Sequence, residues 1–255
     1  MTAGFLHSIE TLGTLDGPGL RMIVFLQGCR LRCVYCHNPD TWIEKIIPGN
    51  NKNLTVKYYH KEKVTAAYIA EKAKRYKPYF KNKGGITFSG GDPLRQPKFL
   101  LDCLKLCKAE GIHTVIDTSG VGFGDYDEIL KYTDLAILDI KHSNPEKYKK
   151  ITGCDIEYYL DFKEAVIRNE IQLWIKHVVT PGINDTEGDM KDFENEVKTF
   201  PDKLIQKIEL LPYHTLGVYK YKELNIKYKL EGVPPLSKDR LQELKDCITL
   251  EKLIR

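Results

Sequence analysis

The stretch LRMIVFLQGCRLRCVYCHN, residues 20–38, joins two signals that decide how the rest of the chain is read. Residues 20–26 form a short, nearly unbroken apolar run bounded by turn signals, the pattern of a strand buried on both faces of a parallel sheet. The run ends at Gln27-Gly28. Three cysteines follow at once, Cys29, Cys33 and Cys36, spaced C-x3-C-x2-C.

The strand pattern recurs at 85–88, 113–117, 135–139, 172–179 and 205–211. Helical periodicity fills the gaps, most clearly at 64–76 and 98–110, then at 160–169, 190–199 and 238–253. Strands alternating with helices predict βαβ units and a parallel sheet. Six units without a dinucleotide fingerprint predict an α/β fold of one domain over 1–255, a partial (β/α)6 TIM-like barrel with parallel strands. Two stretches stand outside the alternation. Residues 43–63 are polar around a Gly-Asn-Asn-Lys-Asn core and read as a surface insertion. Residues 217–236 read as a long irregular loop with tyrosines among lysines, and loops of that length are commonly functional or mobile.

Composition narrows the function. The net charge of +4 over 255 residues, with lysines scattered instead of blocked, does not describe a nucleic-acid protein. The first residues carry no basic segment followed by an apolar one. No apolar run approaches the ~18 residues that cross a bilayer, so a cytoplasmic protein is expected. Seven cysteines, an odd number, argue against a disulfide framework and for metal or redox use.

Three readings of the cysteine loop compete: a zinc site completed by His37, a Cys33–Cys36 redox pair, and an iron–sulfur cluster with three thiolates and one open iron. Zinc sites usually draw on two separated pairs, and no second pair follows. The dithiol reading leaves Cys29 unexplained. Three thiolates where electron-transfer clusters use four imply an iron kept open for a ligand, which favours the cluster. Cys103 and Cys107 fall with Leu100 and Leu104 on one helical face and read as core. Cys154 and Cys247 stand alone.

Ligands of parallel barrels bind beyond the C-terminal strand ends, so those ends supply candidates. After the second run come Ser89, Gly90, Gly91 and Asp92; Gly90 and Gly91 let backbone approach a zwitterionic ligand, and Asp92 offers an acceptor for its ammonium. Lys141 suits a carboxylate. Asp117 and Asp139 offer hard oxygen ligands for a cation, against the alternative of plain solvation. His214 suits a ribose or carboxylate. The fifth run ends in Thr180-Pro181-Gly182.

With these residues assembled, the chain resembles the radical S-adenosylmethionine superfamily and, within it, the pyruvate formate-lyase activating enzymes. The resemblance rests on Asp16-Gly17-Pro18-Gly19, GCRLRCVYCHNPDTW from Gly28, ITFSGG from Ile86, DTSG at 117–120, LDIK at 138–141 and IELLPYHTLG at 208–217. It implies that Cys29, Cys33 and Cys36 ligate a 4Fe–4S cluster whose open iron takes S-adenosylmethionine. It further implies cofactor contacts from Tyr35, Cys36, His37, Gly91, Asp139, Ile140, Lys141 and His214. A monovalent-cation site, Na+ or K+, would use Asp117, Thr118, the Leu138 backbone and Asp139. The implied activity is reductive cleavage of the cofactor to methionine and a 5′-deoxyadenosyl radical, which takes hydrogen from a glycine of pyruvate formate-lyase. A flavodoxin or ferredoxin would donate the electron to a monomeric enzyme. The chain departs from the family at Asp92, where Glu is usual. Activation of another glycyl radical enzyme, such as anaerobic ribonucleotide reductase, radical chemistry on a small molecule, and a zinc-stabilised binding module using the basic aromatic loop are the rival readings.

Overall fold

The structure is a computed structural model that describes residues 2–42 and 63–254. The expected polar insertion therefore lies outside the described residues, apart from Lys63. Eight strands form one sheet in the order β3-β1-β2-β4-β5-β6-β7-β8. The six expected strands are all present and mutually parallel: β2 (Arg21–Leu26), β4 (Gly85–Gly90), β5 (His113–Thr118), β6 (Leu135–Asp139), β7 (Gln172–Val179) and β8 (Ile205–Pro212). Two more precede or interrupt them. β1 (Ala3–Gly13) runs antiparallel to β2, and the three-residue β3 (Lys63–Thr65) pairs with the start of β1. The sheet is thus an open, mostly parallel barrel with an antiparallel flap at one edge. No described helix is long and apolar enough to cross a membrane.

Helices α1 (Ala66–Phe80), α2 (Pro97–Ala109), α3 (Tyr126–Leu130), α4 (Pro145–Thr152), α5 (Glu157–Arg168) and α6 (Glu187–Val197) connect the strands, and α7 (Val218–Glu223) and α8 (Lys238–Asp246) follow the last. Their ends follow capping chemistry. Thr65 caps α1 by accepting from the Tyr68 amide, and a reciprocal Thr186–Asp189 box starts α6. α8 stops at Asp246 instead of running on to 253. There Glu194 captures the Thr249 amide and hydroxyl, and the tail turns to bond Ile208 on the free edge of β8.

The barrel interior is built in layers read at period two along the strands. Val115, Leu135 and Ile137 are wholly or almost wholly buried and pack with Trp174 as one apolar cluster. Two residues further along, toward the C-terminal ends, the same faces carry Asp117, Asp139 and Lys176. The apolar plug therefore hands over to a charged layer at the mouth. Leu173, Ile175 and His177 alternate with these and face the outer core.

Candidate functional site

Gly28, at φ +100°, takes the chain out of β2 into the cysteine loop. Its amide donates to Thr41 O at 2.8 Å and its carbonyl accepts from Asp92 N at 2.9 Å. On the other side the loop is strapped to the last turn of α4: Arg32 N donates to Thr152 O at 2.7 Å and Val34 N to Ile151 O at 2.9 Å. Tyr221 Oη closes the end of the loop by donating to Cys36 O at 2.8 Å. A loop pinned on three sides holds Cys29, Cys33 and Cys36 facing a cavity of about 400 Å3. Burial pushes the Cys33 thiol up to about 12, and burial likewise raises Cys29 and Cys36, so a metal centre must displace their protons on binding.

The spacing of the sulfurs discriminates among the metal readings. Among the described residues, the one group of three side chains whose ligand atoms all lie within 4.8 Å of one another is His142, Asp189 and Asp192. The cysteine sulfurs therefore stand wider than one zinc ion, with Zn–S of about 2.3 Å, would hold them. A multi-atom centre fits. The His142 group is itself a closed network: Lys147 Nζ donates to Asp189 Oδ1 at 2.6 Å, and His142 Nδ1 accepts from Asn144 N, which leaves Nε2–H to face Asp189.

The cavity also meets the C-terminal ends of the strands. Ser89, Gly90, Gly91, Asp117, Thr118, Asp139, Lys141 and His214 line it with Tyr35 and His37. A Cβ on Gly91 would stand 2.3 Å from Gly28 O, and one on Gly90, whose φ is +116°, 2.3 Å from Leu26 O. No side chain fits at either place, so the β4 edge approaches as bare backbone. The His37 and His214 rings pack at 5.0 Å between centroids, and Lys220 Nζ donates to Asn38 Oδ1 and Asp40. Lys141 Nζ lies 2.5 Å from Asp139 Oδ2 and is shared with the Tyr35 hydroxyl, while Asp139 Oδ1 is buried without a partner among the described residues. Buried polar atoms rarely stay unpaired, so that oxygen points to a ligand in this cavity.

Several expected contacts stand elsewhere. Asp92 is buried behind the lining and fully engaged: it accepts from Leu94 N, Thr118 Oγ1, Ser119 N and Ser119 Oγ. It has no acceptor left for a ligand's ammonium and acts as the clip joining β4's loop to β5's. The Thr118 hydroxyl donates to that clip and accepts from Gly120 N, while the residue still lines the cavity with one lone pair unused. Ile140 is fully buried and off the lining, and its carbonyl accepts from His177 Nδ1 at 2.6 Å; the Leu138 side chain is also buried, which leaves the expectation for its backbone as it stood. The tyrosines of the 213–231 region are chiefly core. Tyr213, Tyr221 and Tyr228 are buried, Tyr213 and Tyr228 share a hydrogen bond between hydroxyls, and Tyr219 alone of the four is exposed. That region is a short helix and its packing, not a free aromatic loop.

Two charged lining residues, Lys176 and Asp16, carried no expected role. Lys176 places its ammonium 3.8 Å from Asp16 Oδ1 and 4.0 Å from Asp117 Oδ2. Burial raises the Asp16 carboxyl and the Lys176 cation opposes that rise. Period-two reading of QLWIKHVV, with Trp174 in the barrel plug, is the signal that puts Lys176 inward.

An open parallel barrel whose first strand feeds a three-cysteine loop, facing a cavity lined by glycine backbone and paired charges, is the arrangement of radical S-adenosylmethionine proteins. A family model for the Radical SAM superfamily matches residues 23–193. The chain is 46% identical over 245 residues to a pyruvate formate-lyase-activating enzyme of Clostridium pasteurianum, covering 96% of each chain. It is 42% identical over 251 residues to one of Staphylococcus epidermidis, covering 95% of this chain and 94% of that one. A crystal structure of a domain of pyruvate-formate lyase-activating enzyme from Bacteroides vulgatus superposes with a TM-score of 0.52 at 25% identity, over 64% of this chain and 92% of that one. The chain belongs to the radical SAM superfamily and, within it, to the family of pyruvate formate-lyase-activating enzymes. Membership implies a 4Fe–4S cluster and S-adenosylmethionine.

Proposed function

We propose that this chain activates pyruvate formate-lyase by generating a glycyl radical on it. The observation that carries the reading is the wide cysteine triad opening into a strand-end cavity, in a chain matched along nearly its whole length by named activating enzymes. Cys29, Cys33 and Cys36 hold the cluster. The Gly90–Gly91 backbone, Tyr35, His37, Lys141 and His214 hold the cofactor, with Lys141 opposite its carboxylate. The unpartnered Asp139 Oδ1 takes a monovalent cation, with Asp117 beside it. The cluster and cofactor together supply the 5′-deoxyadenosyl radical that removes a glycine hydrogen.

The protein's own contribution is positioning and exclusion of water. The pinned cysteine loop fixes the reacting centre against the β4 edge, and the apolar plug below the charged layer keeps the barrel dry. A barrel of six parallel strands where a closed one has eight leaves its side open, which suits a polypeptide substrate. The reading treats 1–255 as one domain acting as a monomer and served by a flavodoxin or ferredoxin.

The test is anaerobic purification with iron, sulfide and zinc quantified, followed by reduction in the presence of S-adenosylmethionine. Iron and sulfide in equal amounts near four per chain, with 5′-deoxyadenosine formed, is the expected result. A colourless zinc protein that leaves the cofactor intact contradicts the reading.

A further inference from the structure

The outer face of the cysteine loop, away from the cavity, carries a built cationic surface. Arg30 sits between Cys29 and Leu31 in sequence. Its guanidinium carbon lies 3.8 Å from the centroid of the Tyr158 ring and 5.6 Å from that of Phe123, and its Nη2 donates to Tyr158 Oη at 2.6 Å. Arg95 covers the same Phe123 ring at 4.2 Å, although that ring is 47% exposed. On the other flank of the exposed Gly153 turn, Arg32 lies over Trp42 at 4.9 Å, and the Cβ position of Gly153 is 3.7 Å from Arg32 Cβ. Exposed Lys150 directly precedes Ile151, whose carbonyl bonds the loop at Val34.

Stacking orders Arg30 and Arg32 without spending their charge. Among the described residues, Arg30 hydrogen-bonds a phenol, Arg32 only backbone carbonyls, and neither they nor Lys150 pair with a carboxylate. The neighbouring Asp155 is already held by Lys149 at 2.7 Å. Two arginines ordered over aromatic faces, with exposed Lys150 beside them, form a surface that attracts an anionic partner and orients it.

Its place says which partner. On the functional reading above, the centre held by Cys29 must gain one electron in each turnover while cofactor and substrate polypeptide fill the cavity mouth. The electron therefore needs a second approach, and Arg30 is the covalent neighbour of Cys29. We infer that the Arg30, Arg32 and Lys150 face is the docking surface for a small acidic one-electron carrier protein. The carrier gives up one electron, the centre gains it, and no atom is transferred. This inference rests on that functional reading and adds to it the route of reduction.

The test uses cluster-loaded enzyme and a flavodoxin as probe, with equilibrium binding measured between about 0.05 and 0.3 M salt. Arg30→Glu and Lys150→Glu are each expected to raise Kd about tenfold at low salt and to flatten its salt dependence, whereas Arg30→Lys stays within about threefold. Lys191→Glu, an exposed control on α6, also stays within about threefold. Dithionite, which needs no docking, reduces every variant at the wild-type rate. Unchanged Kd in both charge reversals overturns the inference. So does loss of dithionite reduction in Arg30→Glu, since Arg30 would then be a support of the loop. Wild-type enzyme that assembles no cluster removes the functional reading and the docking face with it; flavodoxin binding that ignores the reversals in an otherwise active enzyme removes the docking face alone.

Discussion

Replacing Asp92 separates two accounts of one carboxylate, as a ligand for the cofactor's ammonium or as an internal clip. In the structure it is 1% exposed and accepts from four donors, two of them backbone amides, Leu94 N at 3.1 Å and Ser119 N at 3.0 Å. In Asp92→Ala the Thr118 and Ser119 hydroxyls can turn to other acceptors, but the amides cannot. Each stranded buried amide costs about 1–3 kcal/mol. Against this, burial raises the Asp92 pKa, so removing the charge returns part of the loss. The net expectation is a loss of about 3 kcal/mol, which for a chain of this size lowers Tm by roughly 6–12 °C. Asp92→Asn keeps one acceptor and loses about half as much. The assay is thermal unfolding by circular dichroism beside equilibrium binding of S-adenosylmethionine below the transition. Binding of the cofactor by folded variant should fall far less than stability does. A variant with wild-type Tm and cofactor affinity reduced a hundredfold refutes the clip.

Three further outcomes follow from the same geometry. Cys29→Ala, Cys33→Ala and Cys36→Ala each abolish cofactor cleavage and lower cluster iron, whereas Cys103→Ala, a change in the buried face of α2, leaves both intact; iron analysis and 5′-deoxyadenosine assays check this. Replacing Na+ and K+ by an organic cation at equal ionic strength weakens cofactor binding about tenfold, because Asp139 Oδ1 then faces the cofactor carboxylate uncompensated, and equal affinity argues against the cation. Burial would raise Asp189, but hydrogen bonds from Lys147, Thr186 and His142 prevail and hold it at about 2. Its folded pKa lies below the unfolded value of about 3.9, so its stabilisation is present above pH ~4 and lost as pH falls toward 2. Unfolding free energies of Asp189→Asn from urea titration should therefore trail the wild type by about 1 kcal/mol near pH 7 and converge with it in acid.

The six parallel strands were legible because each is a short apolar run closed by turn residues, and that run needs no partner to be recognised. β1 was not: in AGFLHSIETLG only Gly4, Leu6 and Gly13 are buried, so an edge strand half in solvent carries too weak an alternation. β3 is three residues whose pairing is set by β1. α1 runs past Tyr76 with Pro78 inside it, where the proline forgoes one intrahelical hydrogen bond, and Lys81 at φ +49° ends the helix. At the site, the cysteines, the two glycines, Asp117, Asp139, Lys141 and His214 could be read from strand ends. Asp92 and Lys176 could not be read that way. Whether a carboxylate after a glycine pair faces the cavity or the next loop depends on where Thr118 and Ser119 arrive. Lys176 lies inside a strand instead of at its end, and only the inward register of Trp174 places it. The tyrosines after His214 were misread for the opposite reason: interleaved lysines look like surface, yet α7 turns Tyr221 inward against Trp42 and Tyr228.

Delivery of a radical from the cavity to a glycine of a partner protein can be observed directly. Reduced, cluster-loaded enzyme is incubated without oxygen with S-adenosylmethionine and pyruvate formate-lyase, and electron paramagnetic resonance spectra are recorded. A doublet that collapses when the partner's glycine carries deuterium at Cα is expected. Cofactor cleavage with no protein radical, under conditions where a known activator produces one, contradicts the proposed function.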